Sequence, residues 1–255
     1  MTAPAPVAAA LRPGVSLRRV EAGIWSVLPP GEEAQRYDAI AARYDRLIGS
    51  RVYQRLAWGN RLADDADFAR GAVHSAATGA ILDAGCGSLL TTTDAHLSAE
   101  RPTVLLDLSV GMLRRAKARI VARAGSLPER VVLLQADVLH LPFRPASFRS
   151  VLCPGILHLF ADPAALVRSL VSVLEHAGVL FTSSLVTDRS IGRAWLRFLA
   201  RGGEVKSLLA SHDLTHLVEA ASGRATTCRL RGNVARVRAG PAHSSALARA
   251  RPGQH

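Results

Sequence analysis

The sequence predicts an α/β fold: a seven-stranded, mostly parallel sheet with an antiparallel C-terminal hairpin, helices on both faces and an N-terminal helical cap. Three observations carry this. Short apolar runs at 80–83, 103–107, 131–135, 150–153 and 179–186 alternate with stretches of helical spacing, the pattern of parallel strands covered on both faces. The first three runs end in or beside an acid, at Asp83, Asp107 and Asp137, where open α/β sheets bind ligands. Finally, Gly232-Asn233 separates two strand-like runs, 226–230 and 234–238, as a two-residue hairpin turn does.

The elements follow in order. Residues 1–31 carry repeated Pro and Gly with little periodicity and read as a mobile arm. Residues 32–72 read as a cap of two or three helices, with Tyr37, Ile40, Ala41, Tyr44, Leu47, Ile48, Val52 and Leu56 at helical spacing, broken at Gly49 and Gly59. Residues 73–240 form the main domain, and 241–255 a disordered tail. Within the domain, helices are expected inside 89–99 and over 109–123, 163–176, 191–209 and 211–221, with Ser109 capping the second.

A chain of 255 residues with 49% hydrophobic and 20% charged residues has the composition of one globular core. It has no apolar run near the roughly 18 to 20 residues of a membrane span, so it reads as soluble. Residues 1–11 lack the basic and apolar regions of a secretory signal, which points to the cytoplasm. Cys86, Cys153 and Cys228 have no paired spacing, which argues against a disulfide framework or a cysteine zinc site. The net charge of +12 raises nucleic acid as a partner, but arginine is spread along the whole chain, a compositional bias that dilutes the signal.

The chemistry centres on Ile81-Leu82-Asp83-Ala84-Gly85-Cys86-Gly87. An apolar strand runs into an acid and two glycines, which let the backbone turn sharply and approach a ligand. A carboxylate at Asp83 suits a cofactor with a cationic amino-acid end and repels a pyrophosphate. The dinucleotide fingerprint also requires glycine where this chain has Leu90, so a nicotinamide cofactor is disfavoured. Asp107, twenty residues beyond Gly87, is placed to accept from ribose hydroxyls, and Asp137 lies beside the same crevice.

These features resemble a class I S-adenosylmethionine-dependent methyltransferase with a Rossmann-like sheet, of the type 11 group that includes the ubiquinone and menaquinone methyltransferases. The resemblance covers residues 36–240. It rests on Tyr37-Asp38 with Tyr44-Asp45, the turn at 83–87, Leu106-Asp107-Leu108-Ser109 with Met112, Ala136-Asp137 followed by Leu141-Pro142-Phe143, and Leu157-His158. It implies S-adenosyl-L-methionine as cofactor, with Asp83, Gly85 and Gly87 at the methionine end and Asp107 on the ribose. Leu108 and Met112 would pack on adenine, Asp137 and the Val138 backbone would read the adenine edge, Cys153 and Pro154 would pass near the sulfur, and Tyr44 would close over the cofactor.

One departure is Leu89, which stands where the group usually has a third glycine and precedes Thr91-Thr92-Thr93, a poor helix former. It either narrows the cofactor space or marks a displaced helix start. Methyl transfer is a direct displacement that chiefly needs alignment, so a base is optional. His158 is the candidate base for a hydroxyl acceptor, with His140 behind it. His212 and His216 lack the zinc-protease context, and Cys153-Pro154 reverses the order of the cytosine C5 methyltransferase pair. The fourth strand also lacks the Asn/Asp-Pro-Pro-aromatic motif of amino-directed nucleic-acid enzymes. Three readings stand: transfer to O, N or C of a small molecule, an RNA methyltransferase favoured by the charge, or a non-catalytic cofactor-binding module suggested by Leu89. Tyr37, Tyr53, Trp58, Phe68, Trp195 and Phe198 are candidates for an aromatic lid over the acceptor.

Overall fold

Ile81-Leu82-Asp83-Ala84 is buried at every position, as a strand covered on both faces must be, and it lies at the centre of the sheet. The computed structural model describes residues 4–29 and 53–241. Among these, the strands are β1 (Arg18–Glu21), β2 (Ile24–Ser26), β3 (Ile81–Ala84), β4 (Thr103–Asp107), β5 (Val131–Gln135), β6 (Phe148–Cys153), β7 (Leu174–Leu185), β8 (Ala225–Arg231) and β9 (Val234–Gly240). They form one sheet in the order β1-β2-β5-β4-β3-β6-β7-β9-β8. From β5 to β8 this is the expected seven-stranded unit, parallel except for β9, which runs antiparallel to β7 and β8. The order reverses between β3 and β6, which opens a crevice at their C-terminal ends.

The helices are α1 (Ala5–Ala8), α2 (Leu62–Val73), α3 (Thr93–Leu97), α4 (Val110–Ala124), α5 (Pro163–Ser172), α6 (Ser190–Arg201) and α7 (Ser211–Ser222), with a π-helical turn at Gln54–Trp58. The Ser109 hydroxyl caps α4 by accepting the Met112 N–H at 3.1 Å, and Asp162 caps α5 through the Ala165 N–H at 3.0 Å. Leu113, Ala116 and Ile120 of α4 pack on Leu105 and Leu133 of the sheet. Ala69, Ala72 and Val73 of α2 pack on Ile81, Leu152 and Phe181. Leu166, Val167 and Leu170 of α5, with Leu214 and Val218 of α7, belong to the core cluster that holds Leu82, Val104, Leu134 and Val151. Each fully buried Leu, Ile or Val contributes about 1.5–3 kcal/mol, so both layers are needed.

The structure corrects the reading of residues 1–31 as a mobile arm. β2 adds to the sheet beside β5 in parallel register, Ile24 opposite Leu133 and Ser26 opposite Gln135, and β1 pairs antiparallel with β2. Ala22-Gly23 turns between them, with Gly23 at φ +80°, and a Cβ there would lie 2.6 Å from Leu127 Cδ2. Three strand residues are too few to show a period, so only tertiary pairing reveals them. Two helices are also shorter than expected. Residues 174–178 leave the helix because Phe148 pairs with Leu174 and starts β7 early, and Gly202-Gly203, with Gly203 at φ +77°, ends α6. Most of the expected N-terminal cap, including Tyr37 and Tyr44, lies outside the described residues.

Candidate active site

The turn after β3 is anchored by backbone at Gly85 and Cys86. The N–H groups of Gly85 and Cys86 both donate to the Leu106 carbonyl, at 2.7 and 2.9 Å, which ties the turn to the end of β4. Gly85 and Gly87 have φ of +77° and +56°, the left-handed region that glycine enters without strain. A Cβ at Gly85 would lie 2.7 Å from Ile156 Cδ1, in the loop after β6, whereas one at Gly87 or Gly155 would meet nothing within 4 Å. The crevice between β3 and β6 is therefore open beside Gly87 and Gly155, and tight at Gly85.

Asp107 links the two loops. Its Oδ2 accepts the Gly87 N–H at 2.8 Å and its Oδ1 accepts the Ser109 N–H at 2.9 Å. Burial pushes its carboxyl up to about 6, opposed by the backbone N–H donors of Ser109, Gly87 and Leu108 and reinforced by the charge of Asp83. Each oxygen keeps lone-pair capacity after one backbone bond, so the carboxylate can still accept from a vicinal diol. Leu108 and Met112 are half-buried beside it. The Leu108 carbonyl accepts from Gln135 Nε2 at 3.0 Å, and Gln135 Oε1 accepts from the Ser26 hydroxyl at 2.8 Å.

Asp83 is placed differently from the expectation that it lines the crevice. It is fully buried, and its Oδ2 lies 2.7 Å from His96 Nε2 on α3. Along β3, Ile81 faces the α2 side, and strand alternation turns Asp83 to that same face, away from α5. Asp83 Oδ1 and His96 Nδ1 have no protein partner among the described residues. Cys153 is also sealed in the core, with its carbonyl accepting from the Thr182 hydroxyl at 2.9 Å, so it presents no side chain to the crevice. Burial, helped by the charge of Asp83, holds its thiol well above the usual range. Pro154, after it, is half-buried.

Asp137 sits after β5 with Oδ1 accepting the Leu139 N–H at 2.9 Å and Oδ2 paired with His140 Nδ1 at 2.8 Å. Its carboxylate thus shapes its own turn, and His140 is its partner. Val138 is buried, and its carbonyl accepts from the Ser169 hydroxyl at 2.7 Å.

His158, the expected base, is a buried histidine in the 3₁₀ turn Leu157–Leu159. Its Nδ1 accepts the Leu185 N–H at 3.4 Å, which places the ring hydrogen on Nε2, and burial lowers its pKa to about 4. The free end of the ring is a donor, so the geometry does not offer a proton acceptor there.

Leu89 resolves its two alternatives. Its φ is +56°, the left-handed conformation of a glycine, and its side chain is 1% exposed among Cys86, Leu105, Leu113, Ile120 and Leu133. It points into the core beneath α4, and α3 begins late, at Thr93, whose hydroxyl donates to the Leu89 carbonyl at 2.6 Å. Sequence reasoning missed His96, Gln135 and Ser26 as site supports. A polar residue inside an otherwise apolar strand, as Gln135 is after Val131-Val132-Leu133-Leu134, was the available signal.

The reversed strand order, the two-glycine turn and the acid ending β4 together give a methyltransferase-like Rossmann fold. Residues 82–182 match the model of the Methyltransferase domain family. The chain is 27% identical over 194 residues to the ubiquinone biosynthesis O-methyltransferase of Sodalis glossinidius, covering 74% of this chain and 72% of that one. It is 28% identical over 170 residues to an uncharacterized chloroplastic methyltransferase of Arabidopsis thaliana, covering 63% and 45%. The chain spans 27% and 45% of the length of the first curated relatives it matches. Magnesium protoporphyrin IX methyltransferase from Synechocystis, solved with bound SAH, shares the fold at a TM-score of 0.62 and 15% identity, covering 82% of this chain and 98% of that one.

Proposed function

We propose that the protein transfers the methyl group of S-adenosylmethionine to oxygen, nitrogen or carbon of a small molecule. The observation that carries this is Asp107, whose carboxylate bridges the Gly87 and Ser109 amides at the mouth of the crevice. The open space beside Gly87 and Gly155 fits a cofactor with an amino-acid end and a ribose. Bound there, the cofactor supplies an electrophilic methyl. Asp107 holds the ribose, and Leu108 and Met112 pack on the adenine. The turn at 85–87 fixes the methionine end, while Asp137 and Val138 border the adenine edge.

Transfer by alignment needs no base, which agrees with the donor state of His158. The named activities of the relatives support a small acceptor: ubiquinone biosynthesis in Sodalis, and geranyl diphosphate in the C-methyltransferase of Streptomyces coelicolor, a structure sharing the fold at a TM-score of 0.58 and 13% identity over 71% of this chain and 79% of that one. A cytoplasmic setting fits three free cysteines, two of them buried.

The RNA reading loses weight because many arginines are engaged within the fold. Arg101 donates to the carbonyls of Val73, Ala76 and Gly79, Arg130 to those of Leu97 and Ala99, and Arg224 to those of Glu175, His176 and Gly178. Several of these close helix C-termini, where a cation is favoured. The test is calorimetric titration with S-adenosylhomocysteine, followed by transfer of labelled methyl in extract and identification of the product. Binding with labelled small-molecule product is expected. No binding would end the proposal, and binding without any transfer would favour a non-catalytic module.

A further inference from the structure

Seven large apolar side chains are exposed among the described residues, and five of them, Leu56, Ile191, Trp195, Phe198 and Leu230, lie on or near one helix. Ile191, Trp195 and Phe198, exposed by 71%, 36% and 59%, lie at i, i+4 and i+7 on α6, and Leu56 belongs to the π-helical turn packed against that helix. Leu230 shares with Arg189, Arg231 and Gly59 a cavity of about 370 Å³. Trp195 and Phe198 stack with ring centroids 5.3 Å apart and planes at 22°, and Trp195 Nε1 donates to the Tyr53 hydroxyl at 2.9 Å, so the patch is preformed. Single exposed apolar residues need no explanation, but a contiguous patch marks an interaction surface.

Its surroundings identify the partner. α6 rests on the core through Gly192 and Leu196 and presents Ile191, Trp195 and Phe198 on one flank. Arg189, Arg193, Arg197 and Arg201 recur every fourth residue along the opposite edge, all exposed. No acidic residue interrupts 189–203; Asp188 is engaged with the Ser211 amide and hydroxyl, and Glu204 follows the helix. A short helix with a bulky apolar flank and an unbroken row of arginines is the pattern of a segment lying in a lipid headgroup layer. No described helix is long and apolar enough to cross a membrane, so the contact is a surface one.

We propose that α6 docks the protein on an anionic phospholipid surface, with Ile191, Trp195 and Phe198 in the headgroup–acyl boundary and Arg189, Arg197 and Arg201 over lipid phosphates, while Arg193 donates to the Thr187 carbonyl at 3.0 Å. An RNA partner would use the arginines but leave Ile191 and Phe198 without a role, and a neutral apolar partner would leave the arginine row without one. α6 follows β7, whose C-terminal end is on the side of the sheet that holds the crevice, so docking brings an amphiphilic acceptor to the site. The docking does not depend on the methyl-transfer reading.

The full chain is sedimented with vesicles of phosphatidylcholine alone and of phosphatidylcholine with phosphatidylglycerol, while tryptophan emission is recorded. Binding to the anionic vesicles with a blue shift is expected, since Trp25 and Trp58 are already buried and Trp195 is the tryptophan that changes environment. Ile191→Glu with Phe198→Glu lowers the affinity at least about tenfold with unchanged melting temperature. Arg197→Gln and Arg201→Gln lower it about fivefold each, an effect that high salt removes. Failure of the native chain to bind either vesicle overturns the proposal, as does unchanged binding by Ile191→Glu/Phe198→Glu. A dimer in sedimentation velocity that this variant dissociates, with no vesicle binding, reassigns the patch to a second copy. Salt-sensitive RNA binding indifferent to the variant, again without vesicle binding, reassigns the arginines.

Discussion

Asp107 accepts the Gly87 N–H at 2.8 Å across twenty residues of sequence, so one carboxylate fixes the cofactor turn to the loop that follows β4. Asp107→Ala therefore removes both the proposed ribose contact and the tie between loops. S-adenosylhomocysteine affinity should fall at least about tenfold, the loss of one to two charge-assisted hydrogen bonds. The carboxylate also makes binding pH-dependent. Its pKa is raised to about 6 by burial, and the ionised form is the better acceptor for ribose hydroxyls. Affinity should rise as pH increases through that value and then level, with a limiting slope of about tenfold per pH unit below it. Asp107→Asn should lose that limb; a native affinity flat from about pH 5 to 8 would refute the assignment.

The buried pair Asp83–His96 predicts a coupled loss. With His96→Leu, Asp83 keeps no side-chain partner in a fully buried position, a cost of about 3–5 kcal/mol. Removing Asp83 as well should recover part of that. In denaturant unfolding, Asp83→Ala/His96→Leu should be destabilised by clearly less than the sum of the single variants. Strict additivity would mean the two groups do not interact.

Leu89 predicts that restoring a glycine does not stabilise the protein. A left-handed leucine carries about 1–2 kcal/mol of strain, while deleting a buried leucine side chain costs about 2–5 kcal/mol. Leu89→Gly should therefore lower stability, and Leu89→Ala, which keeps the strain and loses the side chain, should lower it further. A Leu89→Gly protein that melts above the native one would show that strain outweighs burial here.

What the sequence made legible followed from periodicity and from strand ends. Thr103–Asp107 and Val131–Gln135 were read at their observed bounds, because each is an unbroken apolar run between polar stops. Asp107 could be placed on the crevice because a strand's last residue lies at the ligand edge whatever the rest of the fold does. Asp83 could not: its depth depends on which face α3 covers, and α3 starts late because of Leu89. Ile24–Ser26 was illegible for a related reason, since three residues gain their structure only by pairing with β5.

His158 predicts a stability limb in acid. Burial lowers its pKa from 6.5 to about 4, so between those values the unfolded chain binds the proton and the folded chain does not. Stability is present above 6.5 and is lost as pH falls toward 4, by at most about 3 kcal/mol. Asp107, raised from 3.8 to about 6, acts in the opposite sense: its folded form binds the proton first, so its contribution favours folding in acid and fades as pH rises. The two oppose each other in the overlapping window, and the histidine is best seen by difference. Native minus His158→Gln stability should grow by that amount from pH 4 to 6.5; a flat difference would show that His158 is protonated in the folded protein.

Ser26 and Gln135 predict that the N-terminal strand supports the cofactor site. Ser26 is fully buried, its hydroxyl donates to Gln135 Oε1, and Gln135 Nε2 holds the Leu108 carbonyl next to Asp107. Ser26→Ala strands a buried acceptor on Gln135 and should cost about 1–3 kcal/mol of stability. The same change frees Leu108 and should weaken S-adenosylhomocysteine binding severalfold. Asp137, on the loop beyond Gln135, provides the contrast: Asp137→Asn keeps an acceptor for the Leu139 amide and should cost little stability. Removing residues 1–29 should have the larger effect, because it uncovers the edge of β5 and the side chains of Leu133 and Val131 that pack near Ile24. The truncated chain should aggregate, or bind S-adenosylhomocysteine at least about tenfold more weakly if it stays folded. A truncated chain that is monomeric and binds like the full chain would show that β1 and β2 are ornaments on the sheet and that Leu108 is held by β4 and β5 alone.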